Sequence, residues 1–207
     1  FAGENAPFDG QFLKWTDEAY LRFQPRRSVP IYIGAMSPKM LGAIGEIADG
    51  GLPLLLPPEH FETVLPYVQA GLTEANRTLD DIDLAACIWV SLAEDRDAAE
   101  LVLRNKIAYY GHALSPLIWD RLGLTQEDFR PIEQAMMRDN DPVRAAQLVT
   151  LQMLRIGVVG TAHDLIQRLE HLVALGAKHL SFGPPLGPDP LEAIRLIGRD
   201  IIPHFRK

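Results

Sequence analysis

Two short segments rich in glycine and proline contain the residues best suited to hold a ligand. The first follows an apolar, β-branched run and consists of Gly34, Ala35, Met36, Ser37 and Pro38. A strand that leads directly into a helix presents free amide groups and the positive end of the helix dipole. This turn could therefore bind an anion such as phosphate. On spacing alone, an ordinary structural turn is favoured.

The second segment follows another predicted strand at residues 180–183 and consists of Gly183, Pro184, Pro185, Leu186 and Gly187. Prolines stiffen such a segment, and glycines allow the backbone to approach a ligand closely. It is predicted to border a substrate or cofactor cavity, with a rigid connector as the alternative.

The remaining reactive side chains do not have the spacing of a known metal or catalytic site. The histidines lack metal-ligand spacing, so no metal site is predicted among His60, His112, His163, His171, His179 and His204. Cys87 is the single cysteine and lies in an apolar run, which predicts a buried thiol and a reducing compartment. Four side chains of a later segment could cover a flat ring, although packing into a core is favoured for Trp119, Phe129, Met136 and Met137.

Composition and charge narrow the class of protein. The 207 residues are 47% hydrophobic and 23% charged, which is typical of one globular domain over residues 1–207. The net charge of −7 argues against nucleic acid or an anionic membrane as a partner, because both favour a basic face. No apolar stretch approaches the roughly 18 residues of a membrane span. A cytoplasmic enzyme is expected.

Strands and helices are predicted to alternate along the chain. Apolar runs predict strands at residues 31–35, 52–56, 83–93 and 180–183. Gly50 and Gly51 are expected to close the first strand–helix unit, and Pro66 to bend or split the following helix. Residues 111–140 have apolar positions at helical spacing and are predicted to be a helical insertion. Capping residues are predicted to begin helices at Ser37, Asp95, Asp141, Thr161 and Asp189.

This alternation implies parallel strands joined by right-handed crossovers. Either an open doubly wound sheet or part of a closed barrel would satisfy it. The Gly-x-Gly-x-x-Gly and P-loop patterns of nucleotide-binding open sheets are absent from the sequence.

Residues 29–40 and 45–50 resemble the segment around the fifth strand of luciferase-like monooxygenases. Residues 181–190 and 202–205 narrow the resemblance to the deazaflavin-dependent branch, typified by methylenetetrahydromethanopterin reductase. The resemblance implies an α/β fold, a TIM-type (βα)8 barrel to which this chain supplies the last four βα units and the insertion. Its two open sheet edges, at residues 31–35 and 180–183, would be completed by upstream residues or by another chain.

The resemblance also implies a function. It indicates an oxidoreductase that transfers a hydride between coenzyme F-420, a deazaflavin, and an organic substrate. An FMN-dependent monooxygenase is the alternative, and a non-catalytic half-barrel or dimerisation module is the alternative of another class. A homodimer or higher homo-oligomer is expected. Ser37 departs from the glycine common in the family's phosphate loop, and the catalytic residues are unknown because the family's front half contributes them.

Overall fold

The computed structural model describes residues 6–20, 23, 26–53 and 57–206. The chain divides into two compact units, Phe1–Ile31 and Tyr32–Lys207. In the first unit, strands β1 (Phe8–Asp9) and β2 (Lys14–Trp15) pair in antiparallel fashion, and the rings of Phe8 and Trp15 stack with centroids 4.8 Å apart. That residues 1–207 form a single domain stays a prediction.

The second unit contains a five-stranded sheet in which every pair is parallel. Its strands are β3 (Tyr32–Ala35), β4 (Gly50–Pro53), β5 (Asp83–Leu92), β6 (Val158–Gly160) and β7 (His179–Leu186). The order is β3-β4-β5-β6, and β7 pairs with β5. This arrangement confirms the predicted parallel α/β architecture.

Strand β4 begins earlier than predicted, so the expectation that Gly50 and Gly51 close a unit is wrong. Both glycines pair with β3 and β5 in the strand, where neighbouring groups leave no room for a side chain. A Cβ at Gly51 would lie 2.6 Å from the side chain of Ile44, and one at Gly50 would collide with the ring of Tyr32. Residues 54–56, predicted to continue this strand, lie outside the described residues.

Strand β6 was not predicted. It has three residues and is bounded by Gly157 and Gly160, so it lacks the apolar length by which the other strands are recognised. It pairs with the far end of β5, where Val90 lies opposite Val158. The described sheet therefore contains one strand more than the four expected.

Helices connect the strands. They are α1 (Pro38–Ile47), α2 (Pro58–Glu74), α3 (Arg96–Tyr110), α4 (Pro116–Leu122), α5 (Gln126–Glu133), α6 (Pro142–Leu148), α7 (Leu151–Leu154), α8 (Ala162–Ala174), α9 (Pro190–Leu196) and α10 (Ile202–Phe205). Those that pack in the larger of two hydrophobic cores cover one face of the sheet, and α3 contacts the carboxyl end of β5 on the other. Short 3₁₀ turns occupy Leu79–Asp81 and Gly111–Ala113, and π-helical turns occupy Gln134–Arg138 and Ile197–Ile201. The predicted capping bonds are present at Asp95, Asp141, Thr161 and Asp189.

Helix α2 continues through Pro66, so the predicted split is wrong. Its packing against α1 explains the difference. The two helices approach so closely that a Cβ at Gly71 would collide with the carbonyl of Gly42, and one at Gly45 with the backbone at Val68. Tertiary packing of this kind offsets the hydrogen bond that proline removes from a helix.

Two hydrophobic cores stabilise the second unit. The larger lies between one face of the sheet and helices α1, α2, α8 and α9, and includes Ile44, Phe61, Ile88 and Leu169. The smaller lies within the helical segment and includes Trp119 and Phe129, whose rings stack with centroids 5.6 Å apart. Core packing of these two aromatic residues is confirmed, and a role for them as a lid is wrong. Side chains of α3, α6 and α7 also enter this core, which therefore extends beyond residues 111–140.

Among the described residues, no helix combines the length and the apolar character needed to cross a membrane.

Candidate active site

The sheet has an outer face covered by helices and an inner face that carries the candidate site. Alternate side chains point to opposite faces of a strand. Ile33, Ile88 and Phe182 belong to the helix-covered core, so they point outward. Gly34, Trp89 and Gly183 follow these residues directly and therefore lie on the inner face.

The first predicted segment spans the junction of β3 and α1. Gly34 and Ala35 end the strand, Met36 follows, Ser37 occupies the N-cap position and Pro38 begins the helix. The Ser37 carbonyl accepts the first helical bond from the amide of Leu41, at 2.9 Å. The preceding amides of this turn have no partner within the helix, as at any helix start. The amino end of α1 is therefore positioned to bind an anion.

Ser37 does not use its side chain to cap α1. Its backbone is extended, with φ −97° and ψ 151°, yet no side-chain capping bond forms. The prediction that its hydroxyl caps the helix is wrong, because the proline at the first helical position already sets the backbone direction. The hydroxyl is therefore not engaged by the helix that it precedes.

The second predicted segment is the end of a strand rather than a loop after one. β7 continues through Gly183, Pro184, Pro185 and Leu186, and Gly187 lies immediately beyond. Trp89 pairs with Gly183, and Ser91 pairs with Leu186 across an irregularity in the register. Proline is tolerated there because such an irregularity removes the need for its missing amide.

The backbone turns sharply after this strand. Leu186 has φ +69° and Gly187 has φ +134°, both in the region that favours glycine. A Cβ at Gly187 would collide with the carbonyl of Leu92. Close contact with the end of β5 therefore determines the position of this segment.

Both segments lie at the same edge of the sheet. Parallel strands end at one edge, and β3 and β7 are separated there by β4 and β5. In open α/β sheets and in barrels this edge carries the ligand site. The structure thus places the two predicted segments on either side of one surface.

Four inner-face positions near the two segments carry small side chains, although Leu52 lies opposite Gly34 and Trp89 opposite Gly183. We call Gly34, Cys87, Ser181 and Gly183 the inner floor. A Cβ built at Gly34 would have the carbonyl of Leu52, at 3.9 Å, as its nearest neighbour, so no protein atom crowds this position. The Cys87 Sγ lies 3.7 Å from the Ser181 Oγ. These four positions add little side-chain volume to the inner face.

Cys87 is half-buried, so the expectation of a buried thiol is wrong. The reason is the direction in which the Cys87 side chain points. Its neighbours Ala86 and Ile88 point into the large core and are buried, whereas Cys87 points to the inner face.

Trp89 rises above the floor at its upper end. A Cβ built at Gly183 would lie 3.7 Å from Cδ1 of Trp89, which places the indole beside β7 on the inner face. Lys106 and Tyr110 of α3 cover this indole, with the Lys106 Nζ 5.2 Å from the indole centroid. No motif or spacing in the sequence singles out these three residues. An aromatic residue at an inward position before the carboxyl end of a strand was the available signal.

A hydrogen-bonded chain occupies the opposite end of the inner face. The Tyr32 hydroxyl donates to Asp83 at 2.7 Å, and the Nδ1 of His179 lies 2.9 Å from the same carboxylate oxygen. Burial raises the pKa of the Asp83 carboxyl, but the bonds from Tyr32 and His179 outweigh it and lower the pKa overall. The bond to Asp83 raises the pKa of Tyr32. These residues begin their strands, at the end where stability rather than catalysis is usual.

The histidines form no metal centre in the part of the chain that the structure describes, where no cluster of three or more ligand-type side chains could hold an ion. His163 and His171 are exposed on α8, as predicted. His60 is buried and its Nδ1 has no hydrogen-bond partner. Burial, followed by the charge of Arg121, lowers the pKa of His60 from 6.5 to about 4.

Comparison with known proteins identifies the family. The sequence profile of the luciferase-like monooxygenases matches residues 1–179. The chain is 34% identical to 5,10-methylenetetrahydromethanopterin reductase of Archaeoglobus fulgidus over 99% of its own length and 62% of that protein. It is 30% identical to an F-420-dependent glucose-6-phosphate dehydrogenase of Microbacterium testaceum, over 100% of the chain and 57% of that protein.

Solved structures agree with this result. The coenzyme F-420-dependent tetrahydromethanopterin reductase of Methanopyrus kandleri superposes with a TM-score of 0.87 at 30% identity, covering 99% of the chain and 59% of that protein. The chain thus spans about three fifths of the relatives that it matches, and its parallel sheet corresponds to part of their TIM-type barrel. The chain belongs to the luciferase-like monooxygenase family.

Proposed function

We propose that the protein is an oxidoreductase that transfers a hydride between coenzyme F-420 and an organic substrate. The observation that carries this proposal is the inner floor, which lies between an anion-binding helix start and the glycine- and proline-rich end of β7. A flat deazaflavin ring and a phosphate group require these two features together. The relatives named above, which include F-420-dependent enzymes, support the same cofactor.

The residues of this chain would bind and orient the cofactor. The first amides of α1, with the hydroxyl of Ser37, would bind a phosphate at the positive end of the helix dipole. Gly34 and Gly183 have no side chain, so the ring could approach the backbone of β3 and β7. When bound, the deazaflavin itself supplies the hydride chemistry, and the protein supplies position and desolvation. Gly187 would hold the end of β7 beside the ring.

A titration tests the choice of cofactor. Full-length protein would be mixed with F-420 and, separately, with flavin mononucleotide (FMN), and binding followed by calorimetry and by cofactor absorbance. We expect F-420 to bind and FMN to bind at least about tenfold more weakly, a difference of about 1.4 kcal/mol. Preference for FMN, with turnover that depends on oxygen, would instead support a flavin monooxygenase. Absence of binding to either cofactor would support a non-catalytic module.

The substrates named by the relatives provide the first candidates to test. Methylenetetrahydromethanopterin and glucose 6-phosphate would each be mixed with the F-420-loaded protein, and the redox state of the deazaflavin followed at its absorption band. A change with one substrate and not the other would assign the substrate class and the direction of hydride transfer.

We also propose a cytoplasmic location and a homodimer or higher homo-oligomer. In the described sheet, β3 pairs only with β4 and β7 only with β5, so each has one edge without a strand neighbour there. Light scattering on the full-length protein measures the oligomeric state directly, and a monomer would contradict the second proposal.

A further inference from the structure

Arg77 contacts the end of α1 that lies farthest from the proposed phosphate site. Its Nη1 donates to the carbonyl of Gly45 at 3.0 Å, and its Nη2 donates to the carbonyl of Ala48 at 2.7 Å. A third bond joins the Nη2 to the carbonyl of Asp81 at 3.3 Å. The side chain is half-buried. One guanidinium group therefore links the end of α1 to the segment that leads into β5.

The carbonyls that Arg77 binds are those that a helix leaves without partners. The last four carbonyls of a helix have no partner within it. Gly45 lies in the last turn of α1, and Ala48 is the C-cap residue. That turn contains no basic residue of its own, so the charge that favours this end of the helix dipole comes from another element. A guanidinium suits two such carbonyls because its donors form a rigid, planar fork.

The backbone at Arg77 is itself fixed by the end of α2. Asn76 follows the C-cap residue Ala75 and has a φ of +55°. The Asn76 amide donates to the carbonyl of Thr73 at 3.1 Å. The Arg77 amide donates to the carbonyl of Leu72 at 2.7 Å. These two bonds form a Schellman motif, so Arg77 extends toward α1 from a backbone whose position is determined.

The bonds from Arg77 complement the packing of α1. Glycines at the contact between α1 and α2, which include Gly42 and Gly71, set the separation of the two helices. Apolar packing is non-directional, whereas hydrogen bonds weaken steeply when their angles change. The two bonds to the end of α1 therefore determine where the helix lies along its own axis more closely than apolar packing does.

A displacement at one end of a short helix reaches the other end. Helix α1 has 10 residues, a length of about 15 Å. The amides of its first turn, with Ser37, form the proposed phosphate site at the opposite end. Hydrogen bonds to a phosphate require donor–acceptor distances of about 2.7–3.2 Å. A shift of the helix by about 1 Å would thus lengthen several of these bonds together.

We propose that Arg77 is a positioning residue for the phosphate site, which it fixes through α1. This inference rests on the proposed function, because it takes the anion at the start of α1 to be the phosphate of the cofactor. The guanidinium lies at the other end of the helix from that phosphate. It therefore acts on affinity through the helix and takes no part in hydride transfer.

Two ligands that differ in the phosphate test the proposal. F-420 contains a phosphate, whereas the deazaflavin ring with only its ribitol chain does not. Dissociation constants of both would be measured by calorimetry for the full-length wild type and for Arg77→Gln, Arg77→Lys and Arg104→Gln. Arg104 is the matched control, because it also donates to the carbonyl of a helix C-cap residue, Val149 at the end of α6.

We expect Arg77→Gln to weaken F-420 binding by about tenfold and binding of the phosphate-free ligand by less than about twofold. Arg77→Lys keeps the charge but loses the planar fork, so it should weaken F-420 binding by about threefold. Arg104→Gln should leave both dissociation constants within about twofold of the wild type. Urea unfolding of every variant separates a general loss of stability, which Arg104→Gln shares, from a selective effect on phosphate.

Equal F-420 affinity of the wild type and Arg77→Gln would overturn the proposal. Equal weakening of both ligands in Arg77→Gln would overturn it as well, since that result indicates general damage to the site. If Arg77→Gln does not fold, Arg77→Lys decides by the same comparison. Failure of the wild type to bind F-420 would overturn the proposed function and this inference with it, whereas normal F-420 binding with no selective effect of Arg77→Gln would overturn only this inference.

Discussion

Among single residues, Ser37 offers the clearest test of a binding role that is independent of folding. The caps Ser115, Thr150 and Thr161 each accept a backbone amide of the first turn, as Ser115 does from Leu117 at 3.3 Å. Ser37 occupies the same kind of position and accepts none. A side chain that the helix does not use can be changed without loss of stability, so an effect of changing it on ligand affinity is interpretable.

Ser37→Ala should therefore leave the free energy of unfolding unchanged within about 0.5 kcal/mol. If the hydroxyl donates to a cofactor phosphate, the dissociation constant for F-420 should rise by about five- to tenfold. Urea unfolding and calorimetric titration measure the two quantities. Ser115→Ala is the control, which should lower stability by about 1 kcal/mol and leave F-420 affinity unaffected. Unchanged F-420 affinity in Ser37→Ala would exclude the hydroxyl as a ligand.

Glycine is required at position 187 both by the backbone conformation and by the lack of room for a side chain. Its φ of +134° disfavours any side chain, and a Cβ would also collide with the Leu92 carbonyl. Gly176 provides a matched comparison, since its φ is +102° but no atom lies within 4 Å of a built Cβ.

Gly187→Ala should lower the free energy of unfolding by about 2–4 kcal/mol, because strain and collision add. Gly176→Ala should cost about 1–2 kcal/mol from strain alone. Urea denaturation of both variants measures the difference. Equal losses would show that the segment after β7 moves freely away from β5, contrary to the close contact described above.

At the scale of elements, Glu59 joins parts of the chain that are distant in sequence. Its carboxylate on α2 accepts from Arg155 at 2.7 Å and from the Nη2 of Arg168 on α8 at 3.1 Å. Burial raises the pKa of Glu59, but the two guanidinium groups outweigh it, and the pKa falls from 4.5 to about 2. This network holds α2 against α8 outside the sheet.

Glu59→Gln should therefore lower the free energy of unfolding by about 1–2 kcal/mol at pH 7, a value reduced for solvent screening of the partly exposed arginines. Thermal or urea unfolding measures it. Glu62→Gln is the control, because Glu62 and its partner Arg121 are each 43% exposed in their side chains. An exposed pair contributes about 0–1 kcal/mol. A Glu59→Gln variant no less stable than Glu62→Gln would contradict the role of this network.

Capping residues determine where several helices begin, and these starts could be predicted from the sequence. Asp95 and Asp189 each accept two amides of the first turn, and Thr161 forms a reciprocal pair with Asp164. These interactions span at most three residues, so a linear pattern contains all the information. The start of β4 is different, because the space for a side chain at Gly50 and Gly51 is taken by Tyr32 and Ile44, which belong to other elements.

For the whole molecule, the large pKa shifts of His60 and Glu59 predict how stability depends on pH. The folded-state pKa of His60 is below its ordinary value, so the unfolded chain binds a proton at a pH where the folded chain does not. Its contribution is lost as pH falls from about 6.5 to about 4. Glu59 likewise has a lowered pKa, and its contribution is lost as pH falls from 4.5 to about 2.

His60→Leu should flatten the dependence of stability on pH between about 6.5 and 4.5, removing about 2 kcal/mol of the loss seen in the wild type over that range. Urea unfolding at half-unit pH steps measures it. His171→Leu changes an exposed histidine and should retain the wild-type slope. If the wild type and His60→Leu have the same slope, His60 is hydrated in solution and its pKa is not lowered.

The class of fold and the edge at which the two candidate segments lie follow from local patterns in the chain. Apolar runs separated by helical periods require parallel strands, and parallel strands bring their carboxyl ends to one edge. Gly34 to Pro38 and Gly183 to Gly187 could be assigned to that edge for this reason. The family resemblance, carried by the same residues, extended the prediction to the barrel and the cofactor.

Which side chains lie together on the inner face depends on how the strands and helices pack in three dimensions. Trp89, Lys106 and Tyr110 lie on a strand and a helix whose relative placement depends on the packing of the small core, so no spacing in the sequence reveals their contact. The same dependence explains the half-buried Cys87 and the unengaged hydroxyl of Ser37. Local hydrogen bonds and periodicity depend only on short segments of the chain. Which residues an inner-face side chain contacts depends on the assembled sheet.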